Sequence, residues 1–293
     1  MPRFLTTTII LTYLLIIFGA TVRVFGAGLA CPDWPLCHGQ LIPPFDLPVL
    51  LEWGHRLVAS LVACCAVGIV WAALAQARYR QRIGRLALLA LGLVIVQAVL
   101  GGLTVLKTLH FSTVMLHLAT ALLFLATLVW MRLRLAAPAP DLHVSCAARW
   151  SVGCALALLY TQIILGALVS SNYAGLACPD FPTCNGAWIP PLQGLVVLQF
   201  VHRVMAFVFL AALLWALVVL LRRSAGQIRW LAIAVGVGTL IQIQLGISNV
   251  LLHLPKAVTI AHTGLAALLF VLLVTLYYKV SHAGISSADQ TAH

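Results

Sequence analysis

Apolar residues in this chain do not alternate with polar ones at a strand period. They come in long unbroken runs. Eight can be marked, roughly Leu5–Phe25, Val49–Ala75, Leu86–Leu106, Phe111–Met131, Trp150–Ser170, Gly194–Leu221, Trp230–Leu252 and Ala257–Tyr278. Each has about the 20 residues that an α-helix needs to cross the hydrocarbon layer of a bilayer. Backbone N–H and C=O groups find no partners in lipid, so such runs must close their hydrogen bonds internally, as helices. No stretch shows the short two-residue alternation of a membrane barrel strand. The pattern therefore predicts an all-α integral membrane protein with eight transmembrane helices. The first run follows Met1-Pro2-Arg3 without a small-residue cleavage site and is expected to remain as a span.

The polar breaks between the runs set the orientation. Of the 17 Lys and Arg residues, twelve lie on one side: Arg3, Arg78, Arg80, Arg82, Arg85, Arg132, Arg134, Arg149, Arg222, Arg223, Arg229 and Lys279. Basic residues mark the cytoplasmic side. Both termini are therefore expected in the cytoplasm, and the two long loops, 26–48 and 171–193, outside. Composition agrees: 63% of residues are apolar and 8% charged, against about 25% charged in soluble proteins. This excludes a water-soluble globular enzyme. The net charge of +11 comes from the inner-side clusters, so it signals topology and no nucleic acid partner. No Arg/Ser-rich transit segment precedes the first span, which points to a bacterial plasma membrane.

The two outer loops are copies. Gly28-Leu29-Ala30-Cys31-Pro32-Asp33 recurs as Gly175-Leu176-Ala177-Cys178-Pro179-Asp180, and Ile42-Pro43-Pro44 as Ile189-Pro190-Pro191. The match continues into the next span, where His55-Arg56 answers His202-Arg203. Further on, Gln97, Leu100-Gly101 and His117 answer Gln242, Leu245-Gly246 and His262. Two four-helix units in tandem are expected, 1–135 and 149–280. They would be parallel pseudo-symmetric bundles, joined by a cytoplasmic linker at 136–148 and followed by a disordered tail at 281–293.

Four histidines lie inside spans, on the second and fourth helix of each unit, all near the outer end: His55, His117, His202 and His262. Ionisable groups within a span are costly and usually functional. Two histidines facing each other at one depth suit axial ligation of a haem iron from both sides. Zinc would need more ligands per site. Hydrogen bonding between helices is the plain structural alternative. Arg56 and Arg203, each following a histidine, can pair with a haem propionate or snorkel to the headgroups.

The two halves differ at one chemical position. Glu52, three residues before His55, is the only acid within a span; its counterpart before His202 is Gln199. A carboxylate there can exchange a proton and the amide cannot. Cys31/Cys37 and Cys178/Cys184 form matching outer pairs, able to serve as disulfide staples or as redox couples.

Eight spans in two repeats, the Glu52–Arg56 motif Glu-x-x-His-Arg, His202-Arg203, His117, His262 and the paired loop cysteines together resemble the haem A synthase family. That resemblance implies oxidation of the C8 methyl of haem O to a formyl group. It implies a resident haem b on His202 and His262, and a substrate haem flanked by His55 and His117. It also implies Glu52 as an essential acid and a functional first cysteine pair. Haem O and membrane lipid would be partners, with the farnesyltransferase that makes haem O as a candidate; a quinone or another electron acceptor is left open. The alternative on the residues alone is a di-haem b membrane electron-transfer cytochrome, which would carry the same ligands and modify nothing.

Overall fold

The computed structural model of the protein describes residues 1–136, 143–222 and 226–285. Eight helices follow in order: α1 (Pro2–Val24), α2 (Leu47–Ala75), α3 (Ala77–Leu106), α4 (Phe111–Arg134), α5 (Cys146–Ser171), α6 (Gly194–Leu221), α7 (Gly226–Leu251) and α8 (Lys256–Ser281). All eight are long and apolar enough to cross a membrane. The only β pairing between elements among the described residues is two residues long: β1 (His143–Val144) runs parallel to β2 (Gly284–Ile285).

Local chemistry sets the helix starts. Proline stands in the first turn of α1 and α2, where its missing N–H costs nothing. The Asp46 carboxylate accepts from Val49 N at 2.8 Å and caps α2. Ser145 Oγ accepts from Ala148 N at 3.2 Å and caps α5. Helix α3 begins nine residues before its apolar run. Arg and Gln are good helix formers, so the helix continues out of the lipid-matched segment through Arg78, Arg80, Arg82 and Arg85. Only Gln76 separates it from α2.

Disorder was expected from residue 281, and this is corrected for the first residues. Ser281 ends α8, the Ala283 carbonyl accepts from the Arg149 guanidinium, and Gly284–Ile285 form β2. Linker residues 137–142, Arg223 and tail residues 286–293 lie outside the described residues.

Helix packing closes two rings. Helix α1 packs on α2, α2 on α3, α3 on α4, and α4 back on α1. Helices α5, α6, α7 and α8 do the same. The rings meet through α1, α4, α5 and α8. Phe124, Leu128 and Met131 of α4 pack with Leu5, Val62, Ile69 and Ile83 inside the first ring. Leu122, Leu125 and Val129, on another face of α4, join the core that holds Leu213, Leu269 and Leu273. Two tyrosines donate across the seam: Tyr13 Oη to the Gly264 carbonyl at 3.2 Å, and Tyr160 Oη to the Ala119 carbonyl at 3.2 Å. Trp71, Trp150, Trp215 and Trp230 are exposed and all lie near the helix ends remote from the cysteine loops. An aromatic belt at one membrane interface has this form.

Candidate functional site

Each ring carries its two histidines on helices that stand across from one another, α2 and α4 or α6 and α8. His55 and His202 sit at matching positions, eight residues beyond the starts of α2 and α6. His117 and His262 each sit six residues beyond the starts of α4 and α8. At ~1.5 Å per residue this places them about 12 and about 9 Å below the helix ends nearest the cysteine loops. His55 and His117 lie within electrostatic reach of one another, as do His202 and His262.

A glycine on the neighbouring helix seats every one of these rings. A Cβ added at Gly19 of α1 would stand 3.2 Å from His55 Cε1, and one at Gly101 of α3 would stand 3.3 Å from His117 Cε1. In the second ring the corresponding distances are 3.1 Å from Gly166 to His202 and 3.1 Å from Gly246 to His262. Only a missing side chain lets the imidazole lie this close to the helix. Gly19 was not singled out from the sequence. The repeat offset from Gly166 would have found it.

Glutamines one turn before these glycines hold the second ring more firmly than the first. Gln162 Nε2 donates to the His202 carbonyl at 3.0 Å and lies 3.2 Å from His202 Nδ1. Gln242 Nε2 donates to the His262 carbonyl at 3.0 Å. The position matching Gln162 in the first ring is Leu15, which has no amide. Gln97 makes no such side-chain bond to the His117 carbonyl among the described residues.

The residues present fit a haem. Nδ1 of His55 is buried without a hydrogen-bond partner, whereas buried polar atoms are normally paired. Two imidazoles in each ring, each seated by one edge against a glycine, match the donor set of a six-coordinate haem iron. They do not match a multidentate ion site. Among the described residues no three His, Cys, Asp or Glu side chains converge.

A disulfide-closed loop is hydrogen-bonded to each of α2 and α6, the helices of His55 and His202. Cys31–Cys37 and Cys178–Cys184 are both bonded. Inside each loop one aspartate organises the turn. Asp33 accepts from His38 N at 2.7 Å and Gly39 N at 2.8 Å. Asp180 accepts from Asn185 N at 2.6 Å, Gly186 N at 2.9 Å and the Thr183 hydroxyl. These bonds favour the ionised form. The Gly39 amide is the largest influence holding Asp33 below the usual carboxylate range, and the Thr183 hydroxyl leads in lowering Asp180 to about 2. His38 and Asn185 are interchangeable here because each bonds the same loop carbonyl, Ala30 at 2.9 Å or Ala177 at 3.1 Å.

Glu52 ties the first loop to α2. It is buried, at 4% exposure. One carboxylate oxygen accepts from Cys31 N at 2.8 Å and the other from Arg56 at 2.6 Å. This is the only ion pair found among the described residues. In the second unit Gln199 is equally buried, yet its Oε1 has no partner.

Both arginines offered by the sequence as propionate partners are turned to the loops. Arg56 donates to the carbonyls of Asp33, Leu36 and Cys31 at 2.7–3.0 Å. Arg203 donates to those of Thr183 and Cys178 at 2.7 and 2.6 Å. The sequence could not choose between a loop carbonyl and a ligand carboxylate, because both accept from a guanidinium at a helix end. Another pairing missed was Trp34 against α3: a Cβ on Gly102 would stand 3.0 Å from its indole. The matching positions in the second ring are Phe181 and Ile247, a smaller ring and a larger side chain. His110 and His253 stay exposed in the turns before α4 and α8.

The model of the cytochrome oxidase assembly protein family (COX15-CtaA) matches residues 2–47 and 44–274, a span that includes both loops and all four histidines. The chain belongs to this family. Among curated relatives, the haem A synthase of Shewanella oneidensis is 33% identical over 97% of this chain and 98% of its own length. That of Halalkalibacterium halodurans is 32% identical over 92% and 93%. That of Symbiobacterium thermophilum is 33% identical over 69% and 70%. The COX15-CtaA match thus runs from α1 into α8, and the Shewanella relative aligns with nearly the whole chain.

Proposed function

We propose that this enzyme is a haem A synthase that oxidises the C8 methyl of haem O to a formyl group. Residues 1–135 form the substrate unit and 149–280 the cofactor unit, with the cysteine loops on the outer face of a bacterial plasma membrane. His202 and His262 hold a resident haem b, and His55 and His117 flank the substrate haem. The bound haem b supplies one-electron redox chemistry.

One observation carries the reading: two copied frames differ in the group above the histidine. Glu52 shares a helix face with His55, three residues away, and can accept a proton as electrons leave the substrate. Gln199, its copy, cannot. The Arg56 guanidinium and the Cys31 amide hold the Glu52 carboxylate in place, so the base is positioned before substrate arrives. The glutamines support the same division. Gln162 and Gln242 pin both histidine segments of the second unit, as a permanent ligand requires. Leu15 leaves the His55 segment without that hold, as a substrate that must enter and leave requires. The farnesyl tail of haem O can lie in lipid beside the bundle.

The test is Glu52→Gln, which gives the first unit the residue the second already tolerates. Haem b content should stay at the wild-type level and haem A production should fall by about 10²–10⁴-fold, the usual size of a lost general base. Wild-type turnover in E52Q would refute the assignment. A di-haem electron-transfer cytochrome would show no haem A in either protein.

A further inference from the structure

Arg23 is an ionised side chain that neither site has used. It lies on α1 one turn outward of Gly19, the seat of His55. Its guanidinium crosses the seam and donates to both the hydroxyl and the carbonyl of Ser170. Ser170 lies on α5 one turn outward of Gly166, the seat of His202. The guanidinium therefore stands above and between the two histidine seats that belong to different units. Tyr173 closes one side, with its ring centroid 5.8 Å from Arg23 Cζ.

The repeat makes this a single feature. Arg23 and Ser170 are copies of each other, 147 residues apart, so a place that could have held two cations holds one. Its charge has no carboxylate partner: the only ion pair among the described residues is Glu52–Arg56. A half-buried charge at the membrane edge costs free energy unless a counter-ion is supplied. The carbonyl end of α5 offers a partial negative charge, but it leaves the net charge unmatched. Arg56 is already committed to the first loop and to Glu52 through four hydrogen bonds.

We propose that Arg23 is the shared counter-ion for the carboxylate side chains of the two macrocycles, one in each unit, and that it couples their redox potentials. This rests on the two-haem reading above. Carboxylates on a macrocycle held by these histidines must leave the hydrocarbon by the nearer membrane face. That face is where Arg23 stands. A guanidinium can offer parallel donors to a carboxylate on either side. A nearby positive charge disfavours the additional positive charge of the oxidised iron. Removing it stabilises the oxidised form and lowers the midpoint potential.

The experiment is a potentiometric titration of the full chain, purified from cells supplied with haem O, as wild type, Arg23→Gln and Arg23→Lys. R23Q should retain both pigments and show both midpoints shifted downward. R23K, which keeps the charge, should stay near wild type at neutral pH and fall toward R23Q at alkaline pH as the lysine is neutralised. If R23Q does not accumulate, the alkaline shift of R23K against wild type decides the question. A purely structural cap on α5 would lower thermal stability and leave the midpoints in place. Unchanged midpoints at full pigment content, or a shift confined to one pigment, overturn the proposal. A colourless wild type overturns the two-haem reading itself, which separates the two failures.

Discussion

The glycine seats allow a quantitative prediction for Gly166→Ala. The new methyl group would stand 3.1 Å from His202 Cε1, whereas carbon atoms in contact prefer about 3.5–4.0 Å. The imidazole must retreat by roughly 0.5 Å, or α5 must move away from α6 by as much. Gln162, one turn along the same helix, resists the second route through its bond to the His202 carbonyl. Overpacking of this kind costs about 1–3 kcal/mol. At 1.4 kcal/mol per decade, haem b retention should weaken by about 5–150-fold. The assay is haem b content per protein after purification and extended washing, with the absorption spectrum recorded alongside. Gly19→Ala is the paired control: its methyl group would press on His55 at 3.2 Å, so it should reduce turnover and leave haem b content unchanged. Full haem b content with an unshifted spectrum in G166A would refute the claim that Gly166 seats an iron ligand.

Other outcomes follow from the same geometry. Leu15→Gln gives the first unit the amide found at Gln162; it should tighten the hold on the His55 segment and slow product release, seen as haem A remaining on the purified protein, and wild-type release would contradict the assigned role of Leu15. Cys31→Ser removes a short covalent loop worth about 2–3 kcal/mol and loosens the amide that Glu52 accepts; thermal stability and turnover should both fall. Full turnover in C31S would reduce the loop to a staple.

Much of this was legible in the sequence because lipid is an unforgiving solvent. Eight apolar runs permit only helices, and four histidines and one glutamate stand out where polar groups are costly. The helix ends were less legible. Hydropathy marks the part of a helix that lies in lipid, so the arginine-rich start of α3 and the last three residues of α8 escaped it. Gly19 was silent because a glycine within an apolar run changes neither hydropathy nor charge; its meaning appears only when the His55 ring is placed beside it. The direction of Arg56 and Arg203 was undetermined because a long flexible cation reaches loop and ligand alike. Asp33 and Asp180 passed unnoticed as functional residues, since their work is done on main-chain amides five and six residues away.

The most direct test of the central claim is extraction and chromatography of the pigments bound to the purified protein, with and without a supply of haem O. The account predicts haem b in both preparations and haem A only when haem O is supplied. In His202→Ala or His262→Ala the haem b should be lost. Haem b present with no haem A under haem O supply, or haem b fully retained in both histidine variants, would contradict it.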